Sequence, residues 1–293
     1  MKERKYRKRS GRMGKKDSGS SKRFFSSVKE LILEKKFMIL LFGGGIGLLS
    51  FFIVAMIGDL DLQSFQDIFG YFPEGFMDFL GDLAVLANPY GFWTMEMLSF
   101  IWLYAGILFV FTASSLLSHE VENKTIDLSL SKPISRDNFL GSKITFLYIY
   151  IMATIGIFFL ISLGSMAASS VYRAEGIFLE RFLAAYFSVV LFLGALAMVA
   201  KFISTIFLST KKSMALGVMI LFIMFFLGEF YTYMDESIQG IKYISIFYYF
   251  NPIDYLVNAN VVIFTRDIYI LGIFNVALII GSLVVFNKKD IPN

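Results

Sequence analysis

The sequence contains no cysteine, which excludes disulfide bonds and thiolate metal sites. Its single histidine, His119, and the lack of a paired acidic or serine-based cluster in the apolar segments argue against an intramembrane enzyme. No G-x-x-x-x-G-K-[ST] motif occurs, so the chain has no P-loop to bind nucleotide phosphates. Charged residues make up only 17% of the 293 residues, against 57% hydrophobic residues. This composition indicates an integral membrane protein.

Six apolar stretches are long enough to cross a bilayer as helices, since about 20 residues span a hydrocarbon core of roughly 30 Å. Their continuous apolar character lacks the alternation of the lipid-facing strands of a barrel. The sequence therefore predicts an all-α membrane protein whose residues 22–293 form one transmembrane domain. The predicted spans are residues 37–57, 92–117, 144–168, 182–208, 213–233 and 268–286.

The distribution of lysine and arginine predicts the orientation of these spans. The segment before the first span, the loops after the second and fourth spans and the C-terminal tail together hold 22 of these residues, whereas the alternate loops hold 4. Lys201 lies inside a span. Both termini and the two basic loops are therefore predicted to be cytoplasmic, in a multi-pass protein of the cell membrane.

The N-terminal segment divides into two parts. Residues 1–21 are basic, with few apolar side chains, and are predicted to form a disordered tail. Binding of anionic lipid explains its charge better than binding of nucleic acid. In residues 22–36, Phe24, Val28 and Leu31 recur at helical spacing, which predicts an amphipathic helix in the membrane interface. The alternative is an upstream extension of the first span.

Residues 118–143, here called the polar island, separate the second and third apolar stretches. Residues 123–125 have turn chemistry, and Pro133 disfavours helix for the residue before it. Ser135 is a candidate N-cap, with Asp137 in the first turn that follows. These features predict a short helix, a kink and a restart. We interpret the island as a cytoplasmic docking site.

The island resembles the loop between the second and third spans of ABC-2 type permeases. The resemblance rests on Glu120-x-Glu122-x-x-Thr125, on the run LSLSKPISR at residues 128–136, and on Gly-Ser-Lys at residues 141–143. Weaker matches follow in the same order at residues 202–207, 251–256 and 288–291. The chain departs from the family in having Lys124 where glycine is usual and His119 before the first glutamate.

The resemblance implies that the island is a coupling helix docked in a groove of a separate ATPase subunit. ATP and Mg²⁺ would then bind to that partner, with no cofactor on this chain, and two permease subunits, alike or different, would form the substrate path of an exporter. The implied coupling residues are Glu120, Glu122, Thr125, Pro133, Ser135 and Arg136. Two alternatives remain. In the first, Glu120 and Arg136 pair with each other and only hold the loop in shape. In the second, the island recruits a soluble partner to a non-transporting scaffold.

Three ionisable residues lie inside or at the edge of predicted spans: Glu96, Lys201 and Glu229. Such residues usually face a partner or water, so they are candidates for a substrate path. For Lys201 the alternative is that its long side chain reaches the cytoplasmic interface. The family further implies an external hairpin as an outer gate, here at Asn251, Pro252 and Tyr255, although an aromatic belt also explains the rings around them.

The predicted external loop at residues 58–91 has six acidic residues and no lysine or arginine. Such a loop can attract cations. The alternative is that topology alone removed its basic residues.

Overall fold

The computed structural model describes the backbone of residues 2–59, 85, 88–125 and 135–289, and the side chains of these residues from Arg23 onward except at positions 58, 59 and 232. Within these residues all regular structure is helical. The α-helices are Lys2–Asp59, Pro89–Trp93, Ile107–Glu122, Arg136–Ala168, Ser170–Glu175, Leu179–Phe207, Thr210–Glu229, Pro252–Leu256 and Val261–Lys288. Two π-helical segments, Thr94–Leu98 and Trp102–Gly106, precede Ile107–Glu122 in the chain. Three 3₁₀ segments, Tyr231–Tyr233, Glu236–Ile244 and Phe247–Tyr249, follow Thr210–Glu229.

Six helical stretches are long and apolar enough to span a membrane, which confirms the predicted number of spans. They are span 1 Arg23–Ile57, span 2 Pro89–Glu122, span 3 Arg136–Ala168, span 4 Leu179–Phe207, span 5 Thr210–Glu229 and span 6 Val261–Lys288. Each contains or overlaps one of the predicted stretches. All six begin earlier than predicted, and in spans 3, 4 and 6 the helix continues through charged residues such as Arg136, Glu180 and Asp267.

Span 1 belongs to one unbroken helix, Lys2–Asp59. The predicted turn between an interfacial helix at residues 22–36 and the first span is therefore wrong, and the structure has the continuous extension. At 1.5 Å per residue, the 35 residues of Arg23–Ile57 reach about 50 Å, well beyond the hydrocarbon core. The helical backbone runs through the basic segment to Lys2. The predicted disorder of residues 1–21 in solution stays a prediction.

Span 1 packs closely on span 3 through two glycines one turn apart. A Cβ atom on Gly43 would lie 2.7 Å from the carbonyl oxygen of Thr154, and one on Gly47 would lie 2.6 Å from Cδ1 of Ile161. Gly44, on another face of the helix, has open space around it. The Gly-x-x-x-Gly spacing thus lets the two helix backbones approach each other.

Span 4 is the centre of the bundle. In the most apolar 18 residues of each span, 72% are buried in span 4, against 22% in span 5 and 17% in span 6. The outer faces of spans 5 and 6 carry exposed apolar side chains. Spans 2, 5 and 6 all pack on span 4. A movement of span 4 would therefore displace most of the bundle.

Spans 1, 2 and 3 meet around a buried polar chain. The indole Nε1–H of Trp93 donates to Ser50 Oγ at 2.8 Å, and Ser50 and Ser162 share a hydrogen bond of 2.7 Å. Trp93 has no exposed surface and stacks on Phe158. These bonds satisfy groups that would be costly to leave unpaired in an apolar interior.

Candidate functional site

The polar island begins where span 2 ends, in a tight turn. Both the backbone N–H and the hydroxyl of Thr125 donate to the carbonyl oxygen of Glu120, at 3.0 and 3.2 Å. Lys124 adopts a left-handed conformation with φ +55°. Glycine adopts that conformation without strain, so the departure from the family glycine at this position costs some backbone energy but keeps the turn.

The island ends at the first turn of span 3. Ser135 has extended backbone angles and its hydroxyl accepts from the N–H of Asn138 at 3.2 Å, so the predicted N-cap is confirmed. Asp137 lies in the first turn, as predicted. The helix that starts here is span 3 itself rather than a separate short helix. Pro133, with the rest of residues 126–134, lies outside the described residues.

Glu120 forms an ion pair with Lys143, which lies two turns into span 3. The pair is largely withdrawn from solvent, since the side chain of Lys143 is 4% exposed and that of Glu120 is 29% exposed. The predicted alternative, in which Glu120 pairs with Arg136, is therefore wrong. The Glu120–Lys143 pair closes the island by joining the end of span 2 to the start of span 3.

Arg136 instead contacts the end of span 6. Its Nη1 donates to the carbonyl oxygen of Lys289 at 2.9 Å and, more weakly, to that of Asn287 at 3.4 Å. Asn287 in turn donates through its side-chain amide to the carboxylate of Asp137. A guanidinium beside the last carbonyls of a helix satisfies groups that have no partner within the helix and is favoured by the helix dipole.

Two further contacts join the end of span 2 to spans 4 and 5. A carboxylate oxygen of Glu122 accepts from the backbone N–H of Thr210, the first residue of span 5, at 2.9 Å. The hydroxyls of Ser118 and Ser204 share a hydrogen bond of 2.7 Å, and Ser204 also donates to the carbonyl oxygen of Ser114. With the contacts of Arg136, the two ends of the island touch spans 4, 5 and 6.

Lys201 lies in span 4 and has no exposed surface. The predicted alternative, in which its ammonium reaches the aqueous interface, is therefore wrong. The charges of Lys143 and Glu120 both act on it, yet its Nζ has no hydrogen-bond partner in the described part of the chain. The second carboxylate oxygen of Glu120, Oε2, is likewise buried without a partner. Three ionisable groups thus share one buried site with incomplete pairing.

The opposite end of the bundle contains a cavity of about 510 Å³ between spans 2 and 5 and the segment before span 6. It brings together three of the predicted residues, namely Glu229 from the path set and Asn251 and Pro252 from the gate set. Glu96 does not line it. That residue is half-buried in the first π-helical segment, where its backbone carbonyl accepts from the hydroxyl of Tyr104.

The predicted gate residues are anchored to the helices behind them. The side-chain amide of Asn251 donates to Asp267 at 2.9 Å and to the carbonyl oxygen of Tyr248 at 3.0 Å. Asp267 is fully buried and also pairs with Arg266 at 2.7 Å. The hydroxyl of Tyr255 donates to Ser188 in span 4 at 2.6 Å, and burial raises the pKa of that hydroxyl, which keeps it a donor.

Sequence reasoning missed four of these partners: Lys143 as the partner of Glu120, and Thr210, Asp267 and Ser188. Asp267 lies just before the predicted start of span 6, so the predicted spans leave it in a loop. An earlier helix start at the Asn260 N-cap would have placed it inside the bundle. Nothing local in the sequence marks the other three.

The model of the family described as ABC-2 family transporter protein matches residues 16–291. The chain belongs to the ABC-2 transporter family. This agrees with the resemblance seen in the polar island and gives the chain the role of a membrane transport subunit. No curated protein in the comparison matches the chain. In an ABC-2 permease, the polar island and the cavity at the opposite end are the two regions where predicted functional residues come together.

Proposed function

We propose that this chain is the permease subunit of an ATP-driven exporter and that residues 118–143 couple it to a separate ATPase subunit. Family membership supports the permease role. The observation that carries the coupling role is the set of contacts at the ends of the island. Glu122 holds the start of span 5, Arg136 holds the end of span 6, and Ser118 holds span 4.

In this proposal the island transmits movement of the ATPase subunit to the spans. A soluble subunit that pushes on it moves the ends of spans 2 and 3, which the Glu120–Lys143 pair joins. The contacts of Glu122 and Arg136 pass the displacement to spans 5 and 6 as a rigid-body shift between two packings. Thr125 and Ser135 fix the backbone where the island leaves and re-enters the helices. Pro133 is assigned to the kink between them on the sequence alone.

The island lies on the cytoplasmic side in this proposal, because the loops with the excess of lysine and arginine stay there. ATP and Mg²⁺ bind the partner, since this chain has no P-loop. Two permease subunits face each other with two ATPase subunits below. Lipid surrounds the apolar outer faces of spans 1, 5 and 6, where Phe52, Ile223 and Ile273 are exposed.

The test is affinity purification of this chain from its own cell in mild detergent, followed by measurement of ATP hydrolysis. A P-loop ATPase is expected to co-purify, with hydrolysis that depends on this chain. Arg136→Gln is expected to keep the complex intact but lower its hydrolysis several-fold, because the link to span 6 is lost. Ser237→Ala, in an exposed segment at the opposite end, is the matched control.

Failure of any P-loop ATPase to co-purify, with or without nucleotide, would contradict the coupling role. A stable complex with a soluble protein that lacks ATP hydrolysis would instead support the scaffold function. Unchanged hydrolysis in Arg136→Gln would show that its contacts with span 6 only hold the fold.

A further inference from the structure

The cavity at the end of the bundle opposite to the island has walls that are aromatic and acidic. Its aromatic lining comes from Phe100, Trp102, Phe225, Phe230, Tyr233, Phe247 and Phe250. Of the described residues, two carboxylates, Glu229 and Asp254, also line it, and no lysine, arginine or histidine does. The lining therefore combines negative charge with the faces and edges of aromatic rings.

Neither carboxylate of this cavity has a cationic partner among the described residues. The three ion pairs found there involve Glu34, Glu120 and Asp267. The carboxylate of Asp254 accepts a hydrogen bond from the side-chain amide of Asn258 at 3.2 Å. Two bases of the surrounding segments are engaged elsewhere: Arg266 pairs with Asp267, and Lys242 lies over the rings of Tyr231 and Tyr248. The negative charges of Glu229 and Asp254 are therefore available to bind a cationic ligand.

The walls of the cavity are closely packed. Trp102 packs on Phe225 with ring centroids 4.4 Å apart, and its indole N–H is buried with no hydrogen-bond partner in the described residues. Gly228 brings span 5 against the following segment so closely that a Cβ atom there would lie 2.6 Å from Cβ of Phe247. The two π-helical segments lie on either side of Ser99 and Phe100, and such segments occur frequently at functional sites.

The size and chemistry of the cavity select a class of ligand. Its volume of about 510 Å³ lies in the range of small-molecule sites, roughly 300–1,000 Å³. A hard metal ion requires six or more oxygen ligands, whereas this lining is mostly aromatic. A quaternary ammonium or phosphonium group gains from ring faces as well as from carboxylates. Its apolar substituents suit the remaining rings.

We propose that this cavity binds lipophilic organic cations, with Glu229 and Asp254 supplying the charge and Trp102, Phe225 and Phe247 the ring contacts. The proposal rests on the transport role and names the class of molecule transported. In the predicted orientation the cavity lies on the outer side of the membrane.

Binding is measured on the purified full-length chain in detergent, without ATP or ATPase. The chain has two tryptophans, so Trp93→Phe makes Trp102 the only indole reporter in the cavity wall. The probes are tetraphenylphosphonium and tetraphenylborate, which have the same shape and opposite charge. Saturable binding by equilibrium dialysis and a change in Trp102 fluorescence are expected with the phosphonium alone.

The charge of each carboxylate is then removed without a change of shape. Glu229→Gln and Asp254→Asn are each expected to weaken phosphonium binding about tenfold, in line with the loss of one charged contact. Glu236→Gln, a carboxamide substitution at an exposed residue outside the cavity lining, is the matched control and keeps full binding. Each variant is first checked for a single peak in gel filtration.

Equal binding of both probes by the unsubstituted chain would overturn the proposal, whatever the variants do. Undiminished binding in the folded variants would overturn it too. Because no partner is present, a negative result leaves the coupling role standing. Conversely, if the chain binds the phosphonium but recruits no ATPase, the binding site is supported and the role in ATP-driven transport is contradicted.

Discussion

At the scale of single residues, the buried group of Glu120, Lys143 and Lys201 is the most unusual part of the molecule. One carboxylate faces two lysines, and only Lys143 is paired. A buried amine without a partner costs stability, so Lys201 does not serve the fold in this packing. We interpret the unpaired amine as a cost to the stability of this packing.

Replacement of Lys201 tests this interpretation. Lys201→Met is expected to stabilise the protein by about 1–3 kcal/mol, because it removes an unpartnered buried amine and fills the same space. Lys143→Met, the matched control, is expected to destabilise it by about 1–3 kcal/mol, because Glu120 then loses its partner in a largely buried site. Thermal melting in detergent, followed by fluorescence-detected gel filtration, measures both. Destabilisation by Lys201→Met would show that the amine has a structural partner.

Local chemistry at single residues was predictable where partners are close in sequence. The cap at Ser135 follows from its position before a helix, and its partner Asn138 lies three residues away. The partners of Arg136 lie more than 150 residues away, at the end of span 6. The sequence predicted a carboxylate partner for Arg136, whereas in the structure it binds backbone carbonyls at the end of a helix. A pattern of side chains cannot predict such a backbone contact.

At the scale of elements, span 1 shows what periodicity misses. The change from amphipathic to fully apolar at residue 37 suggested two helices, yet no proline or glycine occurs between residues 22 and 42 to end the first. The helix therefore continues. For span 1, the absence of a helix-breaking proline or glycine predicts the structure better than the change in hydrophobic periodicity does.

The contact of span 1 with span 3 is tested by paired glycine substitutions. Gly43→Ala is expected to destabilise the protein by about 1–3 kcal/mol, since the new methyl group would meet the backbone of span 3. Gly44→Ala, one position on, has open space and is expected to be neutral or slightly stabilising because alanine favours helix. Melting temperature in detergent distinguishes them. Equal effects of the two substitutions would contradict the tight approach at Gly43.

At the scale of the whole molecule, the number of spans and the family were readable from apolar length and the polar island, because both are properties of continuous sequence. The cavity was not. Glu229, Asn251 and Pro252 were predicted as members of separate path and gate sets, and only the packing of spans 2 and 5 brings them into one wall. The bundle thus has the contacts of the polar island at one end and an acidic, aromatic cavity at the other.

The central claim, that residues 118–143 face a separate ATPase, is tested most directly by cross-linking. The chain has no cysteine, so Ser129→Cys and Ser237→Cys each introduce a single thiol for a maleimide photo-cross-linker. In membranes that contain the co-purifying ATPase, we expect a covalent permease–ATPase product from Ser129→Cys and none from Ser237→Cys. A product from Ser237→Cys alone, or from neither position, would contradict the account.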